Sequence, residues 1–224
     1  MIKIIKMMCL LWGTLGWAQT YHLVEAKGRH ENTDAFFYPL SAEAQQKAQY
    51  LGKIEVTQAA ADEVQNFEPI YKKAKLTGAN AYRLHFPNDM EDHPRKKHHN
   101  YEVLLYYYPF STESFEQNIA YFFNLNQDNR IKINGKKVEI PSRHYVEVPL
   151  TPTITEVAVG GFLGSKVRLQ EKENAPQPPL YFSIGASRLK GQEGSLQFKT
   201  GDIERLDDSL AQFLMLFYEK VSEN

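Results

Sequence analysis

Apolar and polar positions alternate with a period of two along much of this chain, and a helical period replaces that alternation in two stretches. Residues 21–26 predict a first strand. In 51–57, Ile54 and Val56 point one way while Lys53, Glu55 and Thr57 point the other, as in a half-buried strand. The spacing then predicts a helix over 66–77. Asn66 is placed to cap it, Pro69 falls in the first turn where no amide bond is lost, and Gly78 supplies a left-handed stop. Ile70, Ala74 and Thr77 share its buried face, with Lys72, Lys73 and Lys75 on the solvated side. Residues 80–86 return as a strand with Tyr82, Leu84 and Phe86 on one face. Residues 101–108 are apolar on both faces and predict a central strand.

After residue 112 short strands recur about every ten residues, punctuated by turn signals, a pattern that predicts a β-sandwich. Asn134-Gly135 sits between Ile131/Ile133 and Val138/Ile140. A two-residue type I′ turn there sets Ile131 opposite Val138 and puts all four apolar side chains on one face. Strands are expected at 119–124, 145–150, 154–159, 166–171 and 179–184, with 174–179 as a stiff proline-rich connector. A closing helix is expected over 203–221 with Asp202 as cap. Ile203, Leu206, Leu210, Phe213, Leu214, Phe217 and Val221 form one stripe at 3.6 residues per turn, and Met215, Leu216 and Tyr218 fall off it. Core packing accounts for the stripe; the leftover apolar face is the alternative, a partner surface for a homodimer.

These elements define an α+β protein: a small N-terminal α/β domain of βαββ type at 19–112, then a β-sandwich-like domain with a C-terminal helix at 113–224. The run Leu51-Gly52-Lys53-Ile54, a Lys- and Ala-rich helix, then Gly78-Ala79-Asn80-Ala81 and a strand resembles a βαβ unit of small exported bacterial envelope proteins of unknown function. That resemblance covers about sixty residues. It implies a fold and lends no catalytic residue. The hairpin followed by Tyr145-Val146-Glu147-Val148 is similar to an uncharacterised envelope β-domain.

The first eighteen residues stand apart. Lys3 and Lys6 precede an uncharged segment from Met7 to Ala18, and Gly16-Trp17-Ala18 places small residues at the −3 and −1 positions of a signal-peptidase site. We read residues 1–18 as a signal peptide cleaved after Ala18, which directs the protein to the periplasm or the medium. The segment is too short to span a bilayer core of roughly 30 Å, and so is every later uncharged run, the longest being the fourteen residues 174–187. Cys9, Trp12 and Trp17 all lie within it, so the mature chain lacks Cys and Trp and holds together without disulfides. Overall, 26 basic side chains face 27 acidic ones, a balance that provides no excess charge for nucleic-acid phosphates.

Chemistry is sparse. Between two predicted strands, Asn88-Asp89-Met90-Glu91-Asp92-His93-Pro94-Arg95-Lys96-Lys97-His98-His99 gathers imidazoles and carboxylates that suit a divalent transition metal, with Asp92, His93, His98 and His99 as candidate ligands. Arg95, Lys96 and Lys97 would repel a cation, and a solvated loop explains the same run. Gly160-Gly161-Phe162-Leu163-Gly164-Ser165-Lys166 lacks the spacing and following helix of a phosphate loop and reads as a tight turn. Ser142 and His144 are neighbours only in sequence. Three aromatic runs remain: Phe36-Phe37-Tyr38, Tyr106-Tyr107-Tyr108 and Tyr121-Phe122-Phe123. They suit a strand core, and any rings left on an exposed face could stack on sugars or an apolar partner. With no other cofactor signalled, the expectation is a non-enzymatic envelope binding or assembly module for a protein or glycan partner. The alternative is a metal-binding protein or metal-assisted enzyme.

Overall fold

The computed structural model describes residues 19–86, 99–111, 115–125, 128–160, 164–172, 175–185, 190–192, 195–197 and 202–222, with only the backbone described at 190–192, 195–197 and 202. The N-terminal half runs β1 (Thr20–Ala26), β2 (Tyr38–Pro39), α1 (Ala42–Gln45), β3 (Gln49–Thr57), α2 (Glu63–Thr77), β4 (Ala81–His85) and β5 (Tyr101–Tyr107). Its sheet has the order β1-β3-β5-β4-β2, so the strand expected to be central is central. Both β3 and β4 are antiparallel to β5 and therefore parallel to each other, with α2 as their crossover and β5 inserted between them. A bulge between Tyr50 and Gly52 resets the alternation, and this lets Leu51 and Ile54 enter the same core although three residues separate them. Gly52 is needed there because a Cβ would sit 2.2 Å from the Glu25 carbonyl oxygen.

Helix α2 starts earlier than its spacing suggests. Asp62, not Asn66, is the cap, its carboxylate accepting from the Val64 amide, so Pro69 lies inside the helix rather than in its first turn. Asn66 is buried instead. Its amide oxygen accepts from the Ala60 N–H and the Tyr21 hydroxyl, and its Nδ2 donates to the Ala60 carbonyl, fastening the β3–α2 loop. The stop is as expected: Gly78 takes φ 76° and donates to Ala74 and Lys75. Lys75 is not solvated. Its ammonium reaches over the helix end to the carbonyls of Asp34 (2.9 Å), Phe36 (2.6 Å) and Ala79 (3.0 Å).

The second half continues with β6 (Ile119–Asn124), β7 (Asn129–Ile133), β8 (Lys136–Ile140), β9 (His144–Pro149), β10 (Thr155–Val159), β11 (Lys166–Leu169), β12 (Leu180–Gly185), β13 (Lys190–Gln192), β14 (Ser195–Gln197), β15 (Asp202–Arg205), α3 (Asp208–Leu214) and β16 (Glu219–Lys220). Two sheets, β11-β10-β7-β8 and β15-β12-β6-β9-β16, face each other, while β13 and β14 pair separately. The first sheet supplies Ile131, Ile140, Val157, Val159 and Leu169 to the core between them, and the second supplies Ala120, Phe122, Val146, Val148 and Ile184. The hairpin is as its sequence predicts: Ile131 pairs with Val138, and Asn134 and Gly135 both have positive φ, at 49° and 83°.

The single C-terminal helix does not form. Ile203 lies on β15, opposite Ile184 of β12. The helix is only α3, started by Asp207, whose carboxylate accepts from the Leu210 N–H. Turns follow, and β16 then runs parallel to β9. The stripe is continuous in sequence because two different cores accept it. Ile203 and Val221 pack into the sandwich, whereas Leu206, Leu210, Phe213, Leu214 and Phe217 pack on the opposite face of the β15-β12-β6-β9-β16 sheet. Met215, Leu216 and Tyr218, the face proposed for a homodimer, join that second core as well.

This second core spans residue 112. It holds Leu51, Ile54, Val103 and Leu105 of the first sheet, Phe67, Ile70 and Ala74 of α2, Phe213 and Leu214 of α3, and Tyr121, Phe123 and Tyr181 from the sandwich. Helices α2 and α3 thus pack together between two sheets. Each large side chain buried there contributes about 1.5–3 kcal/mol. Among the described residues, no helix is long and apolar enough to cross a membrane.

Candidate functional site: an aromatic cleft

The His-rich run lies mostly outside the described residues, including Asp89, Glu91, Asp92, His93 and His98. His99 is exposed just before β5, and its carbonyl accepts from the Ala59 N–H at 2.8 Å. Among the described residues, no three His, Cys, Asp or Glu side chains gather as a metal site would require. Residues 161–163 of the glycine-rich run are also outside the description; Gly160 has φ 78°, and Lys166 pairs with Glu156. His144 places Nδ1 2.9 Å from the Ser142 carbonyl and Nε2 3.3 Å from Glu219.

The aromatic runs divide between core and surface. Phe37, Tyr121, Phe122 and Phe123 are buried, as strand propensity predicts. Phe36 and Tyr38 flank Phe37 and turn the other way. Together with Phe110 and Phe115 they form one packed set of rings: Phe36–Tyr38 at 5.0 Å, Tyr38–Phe115 at 5.0 Å, and Phe110–Phe115 at 5.8 Å. These rings wall a cleft of about 570 Å³, within the range of roughly 300–1,000 Å³ usual for small-molecule sites. Pro176, Pro178 and Pro179 line it too, and Asp208, Gln212, Gln117, Ser111 and Tyr181 supply its polar groups.

Three of the segments that line the cleft are held in place. The Phe36 segment is fastened by Lys75 and by the Phe37 N–H, which donates to Ser209 Oγ at 2.9 Å. Asn80 joins that segment to the end of β5: its Nδ2 donates to Asp34 and to the Tyr108 carbonyl, and its Oδ1 accepts from the Tyr108 N–H. The proline connector is pinned by Asn118, whose N–H donates to the Gln177 carbonyl and whose Oδ1 accepts from the Gln177 N–H, both at 3.0 Å. A preorganised wall spends little free energy on ordering when something binds.

Electrostatics set the cleft's polar character. Burial pushes the Asp208 carboxyl above its ordinary range, partly opposed by the Arg205 guanidinium 3.0 Å away. Burial also raises Tyr38, to about 12, helped by the charges of Asp208 and Asp207, so its phenol stays protonated. Its hydroxyl makes no hydrogen bond among the described residues. The Tyr181 hydroxyl accepts from Gln212 Nε2. A second cleft of about 520 Å³ opens between β8 and β9. Its carboxylates are already matched, Glu139 by Arg130 and Glu147 by Lys220. Of these two clefts, the first is the one walled by aromatic rings, with three prolines beside them.

Set against family models, curated proteins and solved structures, the chain matches none.

Proposed function

We propose that the protein is a non-enzymatic binding module, exported to the cell envelope, that holds a small ligand between Phe36, Tyr38, Phe110 and Phe115. One observation carries this reading: four rings and three prolines wall a fixed cleft that also holds a carboxylate and amide groups. Charge shifts alone would also suit an active site. The cleft's carboxylate, Asp208, pairs with Arg205 at 3.0 Å. Export is supported by the basic, uncharged and small-residue order of positions 1–18.

A ligand-observed NMR screen on the chain beginning at Gln19 tests the binding reading. Hits are expected that Phe110→Ala and Phe115→Ala both weaken about tenfold or more, as loss of a stacking wall would do. Hits that bind both variants as tightly as the parent would move the site elsewhere. Turnover of any hit that depends on Asp208 would overturn the non-enzymatic part.

A further inference from the structure

Resting on the cleft as a binding site, we infer that its ligand is a neutral saccharide whose ring stacks on Phe36, Phe110 or Phe115 while its hydroxyls meet Tyr38, Asp208 and Gln212.

Charge narrows the class first. Asp208 already faces Arg205 at 3.0 Å, so an organic cation would compete with that guanidinium for the carboxylate. An anion would meet Asp208 and the nearby Asp207 at the start of α3. Neither sign of charge is favoured, and a neutral ligand is.

The polar groups exclude a purely apolar ligand. An acyl chain filling the cleft would cover the Tyr38 hydroxyl, the second oxygen of Asp208 and the amide oxygen of Gln212 without offering them a partner, and covering such groups is costly. Tyr38 is half-buried, and its hydroxyl has no hydrogen bond among the described residues. Carboxylate and amide groups are planar and two-pronged, so Asp208, Gln212 and Gln117 suit the adjacent hydroxyls of a pyranose ring. The rings and pyrrolidines provide the flat apolar surfaces on which the C–H faces of sugars rest. The volume has room for a short oligosaccharide.

The test uses the chain from Gln19 with labelled Phe and Tyr rings, titrated separately with maltotriose, cellotriose, triacetylchitotriose, tetramethylammonium and decanoate. A neutral trisaccharide is expected to shift the Phe36, Tyr38, Phe110 and Phe115 signals saturably, while tetramethylammonium and decanoate leave them in place. Tyr38→Phe keeps the ring and loses no internal hydrogen bond, so its melting temperature should match the parent's. Its saccharide affinity should fall about three- to tenfold, the effect of one neutral hydrogen bond. Rings that respond to the cation or the fatty acid but to no trisaccharide would overturn the ligand class and leave the cleft reading standing. Rings that respond to none of the five probes would overturn both. An unchanged affinity in Tyr38→Phe would remove the role given to its hydroxyl.

Discussion

Arg143 closes a gap between the two halves of the chain, and removing its side chain should cost stability in a pH-dependent way. It lies in the turn between β8 and β9 at φ 60°, and its Nη1 donates to the Ala61 carbonyl at 2.6 Å. Nη2 pairs with Glu63 Oε1, and the guanidinium stands 5.7 Å from the Tyr218 ring centre. The Glu63 side chain is 7% exposed against 30% for Arg143, so the acid is the partner stranded when the pair is broken. Its second oxygen is already buried without a hydrogen bond among the described residues, and burial holds its pKa above the usual 4.5.

Arg143→Asn keeps a residue tolerant of positive φ and deletes the guanidinium. The charged hydrogen bond to Glu63 is worth about 1.5–3 kcal/mol, the bond to Ala61 about 1, and the ring contact about 0.5–1. Near neutral pH the loss should total about 3–5 kcal/mol, a drop in Tm on the order of 10 °C for a chain of this size. The sign with pH follows from the raised acid. An acid with an elevated folded pKa destabilises progressively as pH rises from its unfolded value through its folded one. Without Arg143 the folded value climbs further, so the deficit is largest above the variant's folded value and shrinks as pH falls through it towards the parent's own raised value. Glu63→Gln should remove this pH dependence and leave Arg143→Asn costing only about 1–2 kcal/mol. Urea unfolding of the four proteins of this cycle at low and neutral pH decides it. Equal losses at both pH values, or equal losses with and without Glu63→Gln, would refute the electrostatic account.

Three further outcomes are expected. Lys75→Met strips donors from three backbone carbonyls and should lower Tm on the order of 10 °C. In the parent, one lysine ε-amine should titrate near 8, pushed down by burial, and NMR of labelled lysines that finds every one near 10.5 would contradict the placement of Lys75. For export, the chain expressed from Met1 in a bacterium should be recovered outside the cytoplasm with Gln19 as its first residue; recovery with Met1 intact would contradict the signal peptide.

What the sequence discloses follows the range of the interactions involved. Asn134-Gly135 dictates its own turn, Gly78 its own helix stop, and apolar residues on both faces of 101–108 require cover on both sides. The start of α2 differs from the expected one because Asn66 and Asp62 are both good caps, and the packing of Asn66 against Ala60 and Tyr21 cannot be seen locally. The C-terminal stripe misleads for a similar reason. Ile203 and Leu206 keep helical spacing while entering different cores on the two faces of one sheet. Lys75 reads as solvated in sequence because two of its three partners lie about forty residues away. The cleft is least legible. Phe36 and Tyr38 show only as part of an aromatic run, Phe110 falls beside the boundary drawn at residue 112, and Asp208 and Gln212 sit in a helix that reads as structural. Only folding brings these segments together with the proline connector. The aromatic runs do mark one wall, since alternation around Phe37 forces Phe36 and Tyr38 to the opposite side.

The central claim is that this cleft binds a ligand. Its most direct measurement is a crystal structure of the chain from Gln19 grown with the best-binding trisaccharide. The account predicts sugar density against the Phe36, Phe110 and Phe115 rings, with hydroxyls within hydrogen-bond distance of Tyr38 and Asp208. Sugar bound at another surface with these rings uncovered would contradict it.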